Sequence, residues 1–296
     1  VSGEPPPATA AETAPRKIDG VIVAIGRENL LPISVMIENH IESRPPSGLS
    51  AASLVFEAPA EAGITRFLAI FDQDFSSDEV GPVRSARDYY LDWAAEFGAM
   101  YAHCGGSPLA LQKISSYPIF DLNEFYNGRF FWRDNDRSAP HNVYSNSDML
   151  RQAAAAKGLY TAEIYESWLF KDDQPFAAPS ANEITINFST PAYLTRWVYA
   201  SDTNEYVRFH GEVQHKEKNG GEIKAKNIAV VVTEASVIDR EGRLNLRTLG
   251  RGKAWVFRDG GALEATWQKD DIQDRLRFYD VTGREIEFNR GVTWVE

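Results

Sequence analysis

Apolar and polar residues follow two different rhythms along this chain, and the change of rhythm near residue 180 divides it. Before it, apolar runs at 21–25 and 33–37 read as short strands, the second closed by Glu38, Asn39 and His40. Pro and Gly make 44–49 a turn-rich loop. A short helix or strand at 51–57 and a firm strand at 65–71 follow, then a helix over 86–97, a strand over 99–103 and a helix from Pro108 to about Ser115. Residues 117–147 form a long aromatic loop, with a helix over 148–157 capped by Ser147 and ended by Gly158. After residue 180, Ile184, Ile186 and Phe188, then Trp197 and Tyr199, Trp255 and Phe257, and Phe278, Ile286 and Phe288 alternate with polar residues. Turns recur at 202–204, 219–220, 259–261, 282–283 and 290–291. Seven or eight strands in an antiparallel meander are expected there. The predicted fold is α+β, with an N-terminal mixed α/β part (18–165) packed on a C-terminal antiparallel β-rich part (180–296).

Charge and composition narrow the partners. Forty-two acidic against 31 basic residues give a net charge of −11 in 296 residues. Such a surface repels phosphate backbones, which argues against nucleic acid as a partner. No apolar run is long enough to span a bilayer. Residues 1–17 are expected to be a disordered Pro/Ala/Thr-rich tether, like the spacer between an anchor and an exported domain, so that membrane contact would come only through a lipid anchor upstream. Cys104 is the single cysteine, which excludes an intramolecular disulfide, and it is expected to be an inert small hydrophobe.

Candidate chemistry begins at Gly81-Pro82-Val83-Arg84-Ser85-Ala86-Arg87-Asp88. Ser85 and Asp88 have capping-box spacing, yet Arg84 and Arg87 stand where the helix macrodipole is already positive. Two guanidinium groups there call for an anion, either a ligand or the chain's own carboxylates. Glu38, Glu57 and Glu61 with Arg66, Arg84 and Arg87 make a dense charge cluster near apolar segments, readable as bidentate structural ion pairs or as a site. In His103-Cys104-Gly105-Gly106-Ser107-Pro108, Ser107 fits an N-cap and Pro108 the first helical position, with the glycines free to expose N–H groups. Asp134, Asn135 and Asp136 lack the glycine and distal glutamate of a calcium loop, the five histidines lack zinc-type spacing, and no G-x-S-x-G elbow is present. Neither a metal nor a cofactor is expected.

Residues 35–39, 44–49, 61–67, 81–87, 139–142 and 250–254, with the closing Gly291-Val292-Thr293-Trp294, carry a resemblance that covers about 20–296. The chain resembles the YerB-like bacterial lipoproteins, a family of unknown function. The resemblance implies an α/β part followed by a β-rich part and a lipid-attachment cysteine upstream, and it supplies no catalytic residues. The expectation is an extracytoplasmic, envelope-tethered binding or accessory protein with an anion-accepting, arginine-rich cleft. Its ligand would be an anionic small molecule, a cell-wall fragment or an envelope protein. Arg66, Arg84 and Arg87 would clamp the charge, oriented by Glu38 and Glu61. Ser107 would add backbone donors, Trp132 and Phe131 a stacking wall, and Asn39, Arg44, His103, Arg133, His141 and Asn142 would complete the set. The rival is a hydrolase of envelope polymers using Glu38 or Glu61 with His103 as acid or base.

Overall fold

Six consecutive residues, Ile33–Glu38, are all buried, which a strand shows only when both faces of its sheet are covered. The computed structural model describes residues 12–161 and 165–296. This strand is β1 of a ten-stranded sheet whose other members, in chain order, are β2 (Leu54–Pro59), β3 (Thr65–Phe71), β4 (Met100–His103), β5 (Phe120–Asn123), β6 (Asn227–Val231), β7 (Gly250–Arg258), β8 (Gly261–Lys269), β9 (Arg277–Asp280) and β10 (Thr293–Val295). Their spatial order is β9-β8-β7-β6-β10-β2-β3-β1-β4-β5. β10 runs parallel to both neighbours, pairing Thr293 with Leu54 on one side and with Asn227 on the other. Strands from both halves of the chain thus share one hydrogen-bonded sheet.

Side-chain alternation sends β1 residues to two cores. Met36 joins Leu54, Phe56, Leu68, Tyr90 and Trp93 on the face covered by helices α1 (Asp88–Ala95) and α2 (Pro108–Ile114). Val35 and Ile37 join Phe67, Trp294 and Trp197 on the other face, which helix α3 (Ser147–Ala156) and a second sheet cover. That second sheet is antiparallel, in the order Glu183–Asn187, Leu194–Ala200, Glu205–His210, Val213–Gln214, with Lys224–Ala225 also on the third strand. The strands after residue 180 are therefore not one meander: most fall in these two sheets, Ala235–Val237 pairs with Leu244–Leu246 apart from them, and Phe288–Asn289 pairs parallel with Phe170–Lys171, just as β10 is parallel to both of its neighbours.

Several expected boundaries move. Residues 1–11 of the expected tether lie outside the described residues. Thr13–Pro15 pair antiparallel with Ile22–Ala24, and Arg16 binds Asp19 and Asp72 at 2.9 and 2.7 Å, so the stretch from Thr13 is part of the fold. Helix α1 starts after Arg87, not Ser85. The Ser85 hydroxyl donates instead to Cys104 O at 2.9 Å, and Ala86 N to Gly105 O at 2.9 Å, holding residues 84–86 extended along 104–106. Asn146, rather than Ser147, caps α3, accepting from Met149 N at 2.8 Å. The aromatic loop contains β5, a helical turn at Glu124–Asn127, and a two-residue ladder of Trp132–Arg133 with Val143–Tyr144.

Candidate functional site

The extended 84–87 segment carries one arginine toward each of two carboxylates. At the end of β1, Glu38 N donates to Pro82 O at 2.9 Å and Arg84 N to Met36 O at 2.8 Å, which fixes both backbones side by side. Arg84 Nε then donates to Glu38 Oε1 at 2.8 Å, with Glu38 only 4% exposed. The terminal nitrogens of Arg84 have no hydrogen-bond partner among the described residues, and the side chain is 23% exposed. Glu38 Oε2 meets His141 Nδ1 at 2.8 Å, so one buried carboxylate orients both a guanidinium and an imidazole.

Arg87 pairs with Glu61 through Nε and Nη2 and donates from Nη1 to Ala86 O at 2.7 Å. Arg66 reaches the other Glu61 oxygen at 3.8 Å and donates to Ser85 O at 2.7 Å. Burial pushes the Glu61 carboxyl up, but the charges of Arg87 and then Arg66 outweigh it and hold it below the usual carboxylate range. The anions that the arginine pattern calls for are thus present in the chain: Glu38 for Arg84, Glu61 for Arg87.

The remaining expected residues divide into those that join this patch and those that do not. Arg133 does: it donates to Asn142 Oδ1 at 3.1 Å and to Glu124 Oε1 at 3.2 Å, nearly half exposed. Cys104 Sγ lies 3.4 Å from Glu124 Oε2, and burial followed by that carboxylate pushes its thiol up to about 11, which makes it a poor nucleophile at neutral pH. Trp132 stacks on Tyr144, whereas Phe131 is buried in the core and cannot form a wall. Ser107 caps α2 as expected, accepting from Ala110 N. Its own N–H is taken by Ala86 O and that of Gly105 by Asn123 Oδ1, so these donors face the chain rather than a ligand. His103 is fully buried, its ring nitrogens 2.7 Å from Gly105 O and 2.7 Å from Asp121 Oδ1, out of reach of a substrate. Clefts of about 400, 420 and 590 Å³ open elsewhere, and neither Arg84 nor Arg87 lines them.

Asn39 and Arg44 lead away from the patch into a second network. Arg44 Nε donates to Asn39 Oδ1 at 3.0 Å, and Asn39 Nδ2 to Thr65 Oγ1 at 2.7 Å and Glu57 Oε1 at 3.2 Å. Glu57 pairs with Arg208, which also reaches Thr195 at 2.9 Å and His215 at 2.5 Å, between the rings of Phe67, Trp197 and Trp294. Burial, then the charge of Glu57, pushes Glu296 well above the usual carboxyl range. Burial, then the neighbouring His210 and Arg208, pushes His215 well below the usual imidazole range. Arg208, His210, His215 and Glu296 escaped the sequence reading. A signal existed for Arg208: it alternates in phase with buried Tyr206, a charge on a core-facing strand position.

The structure also brings together what spacing could not. Among the described residues, His40, Glu42 and His141 could hold a metal ion, each offering a donor atom within 4.8 Å of the others.

Two family models match the chain: the N-terminal domain of a protein of unknown function (DUF3048) over residues 21–160 and the C-terminal domain of the same over 184–295. The chain is 32% identical over 269 residues to a Bacillus subtilis (strain 168) protein named "Putative lipoprotein YerB", covering 89% of this chain and 80% of that one. It is similar in fold to the crystal structure of YerB protein from Bacillus subtilis, with a TM-score of 0.84, 29% identity and 94% of each chain covered.

Proposed function

The chain belongs to the DUF3048 family, whose function is unknown, and from that premise we propose that it is an extracytoplasmic, envelope-tethered binding or accessory protein that receives a carboxylate of a cell-wall fragment on Arg84. One observation carries this reading. Arg84 is anchored at Nε by a buried carboxylate while its terminal fork has no partner among the described residues. A guanidinium fixed in orientation, with two parallel donors left over, suits bidentate recognition of a planar anion. Arg133 and Asn142, bonded to each other, stand on the same patch with Cys104 and Glu124. The lipoprotein name of the relative supports the tether.

Less supports the hydrolase reading, in which Glu38 or Glu61 would work with His103: Glu38 is tied at one oxygen to Arg84 and at the other to His141. Glu61 is held ionised between two guanidinium groups, and His103 is enclosed, so neither can pass a proton to a polymer. Calorimetric titration of the protein with carboxylate-bearing muropeptides tests the binding reading. Arg84→Lys, which keeps a cation beside buried Glu38 but removes the planar fork, should weaken binding by about 1.5–3 kcal/mol, the worth of a charge-assisted hydrogen bond, and should melt closer to wild type than Arg84→Gln, which strips the charge from Glu38. Equal affinity in wild type and variant, or no affinity in either, would sink the proposal; capture of an envelope protein instead would move the ligand class.

A further inference from the structure

His40 and Glu42 stand at the end of β1 and in the single helical turn Ile41–Ser43, while His141 comes from the segment before Val143–Tyr144. The His40 and His141 rings stack with centroids 4.9 Å apart and planes 15° off parallel. His141 Nε2 lies 3.3 Å from Glu42 Oε2, and His40 Nδ1 lies 4.0 Å from the same oxygen. Ligands on a tetrahedral zinc ion sit about 3.4 Å apart, so one edge of the polyhedron is already at metal spacing and the others need a small closure. His141 is 12% exposed and Glu42 73%, which leaves the group open to solvent on the carboxylate side.

The arrangement behind these groups matters more than their proximity. Glu38 Oε2 lies 2.8 Å from His141 Nδ1, so that nitrogen donates, and a metal ion that displaced the proton from Nε2 would meet its lone pair on the Glu42 side. A carboxylate holding the far nitrogen of a histidine is the usual support of a metal-ligating imidazole, fixing its tautomer and raising its basicity. Glu38 is itself held at its other oxygen by Arg84, which offsets its charge. We propose that His40, Glu42 and His141 form a three-ligand site for a divalent transition metal, zinc above all, with Glu38 as the residue that positions His141. Two imidazoles and one carboxylate favour zinc, nickel or copper over calcium and magnesium, which prefer all-oxygen sites. Three protein ligands leave the fourth position to water or to an incoming anion. Binding gives up the 3.2 Å capping contact from Glu42 N to His40 Nδ1, an exposed hydrogen bond between neutral groups. The inference does not depend on the muropeptide reading, since zinc alone is the probe.

Chelator-stripped protein titrated with zinc chloride at neutral pH should take up one ion per chain, with calcium giving no signal. Glu42→Gln, at an exposed position that carries no core packing, should weaken zinc binding at least tenfold, and His141→Ala should abolish it. Glu38→Gln should weaken it by ten- to a hundredfold, as loss of an orienting carboxylate does. Far-UV circular dichroism checks that each variant is folded. Failure of the wild type to bind sub-millimolar zinc overturns the site, and so does binding that folded Glu42→Gln and His40→Ala retain unchanged.

Discussion

At the scale of single residues, the strongest commitment of this protein is the burial of Arg208. Its guanidinium is fully enclosed and pairs with Glu57, also enclosed. Such a pair adds little net stability, but removing one partner leaves the other charged in a medium that cannot solvate it. Arg208→Met should therefore cost about 3–5 kcal/mol in urea denaturation, and Glu57→Gln in the same chain should recover part of it. The neighbouring histidines make stability depend on pH. Burial first, then the Arg208 charge among others, depresses both His210 and His215 below the imidazole of an unfolded chain. Acidification therefore protonates the unfolded state first, so this contribution is fully present above about pH 6.5 and is lost progressively below it. Glu296 opposes the two histidines, because its raised carboxyl takes up a proton in the folded state before the unfolded one. Two histidines outweigh one carboxyl below about pH 6.5, so urea midpoints of wild type should fall between about pH 6.5 and 5.0, at up to about 1.4 kcal/mol per pH unit for the net proton. His215→Gln should show a shallower fall, and an unchanged slope would place the acid sensitivity elsewhere.

At the scale of elements, the long hairpin of β7 and β8 explains a string that composition alone leaves opaque. Gly252 pairs with Trp267, and a Cβ on Gly252 would lie 2.5 Å from Trp267 Nε1 and 2.9 Å from Val232 O. That is the space used by the indole N–H as it donates to Val232 O at 3.0 Å. The strand needs glycine here for close approach rather than for an unusual backbone angle. Gly252→Ala should displace the indole and cost about 1–3 kcal/mol, the usual range for overpacking, with a shift in tryptophan fluorescence; a neutral result would mean that the hairpin yields without strain. Helix α1 makes the same point about context. All eight of its residues are buried, so its register comes from packing, and the cap that Ser85 offers is spent on Cys104 O instead.

At the scale of the whole molecule, three residues close the structure. β10 supplies the parallel link between β2 from the first half and β6 from the second. Its Trp294 is fully buried, edge-on to Phe67 at 5.5 Å and to Trp197 at 5.1 Å. Trp294→Ala should cost about 3–5 kcal/mol, since it empties the place where the two sheets meet. Because the central sheet runs through both halves, the wild-type chain should melt in one transition, with near-UV and far-UV circular dichroism tracing the same curve. Two resolved transitions would show halves that unfold separately.

What the sequence determined by itself was local. The strands at 33–37 and 65–71 were legible because short, β-branched and apolar-rich segments bounded by turn residues have few other uses, and they are β1 and β3. Ser107 and Pro108 marked the start of α2 because a cap acts within one turn. Charge alone marked Glu38 and Glu61 with the arginines as a cluster and left open whether the arginines meet these carboxylates or a ligand. Only the tertiary structure decided which arginine meets which carboxylate, that Arg208 lies in the core, and that His141 reaches Glu38, His40 and Glu42. It also decided that β10 belongs at the centre of the sheet. The physical reason is common to all of these. A residue's own pattern reports the period of its element and the face that is buried, whereas its partner is set by the hydrogen-bond register and packing of segments far away in the chain.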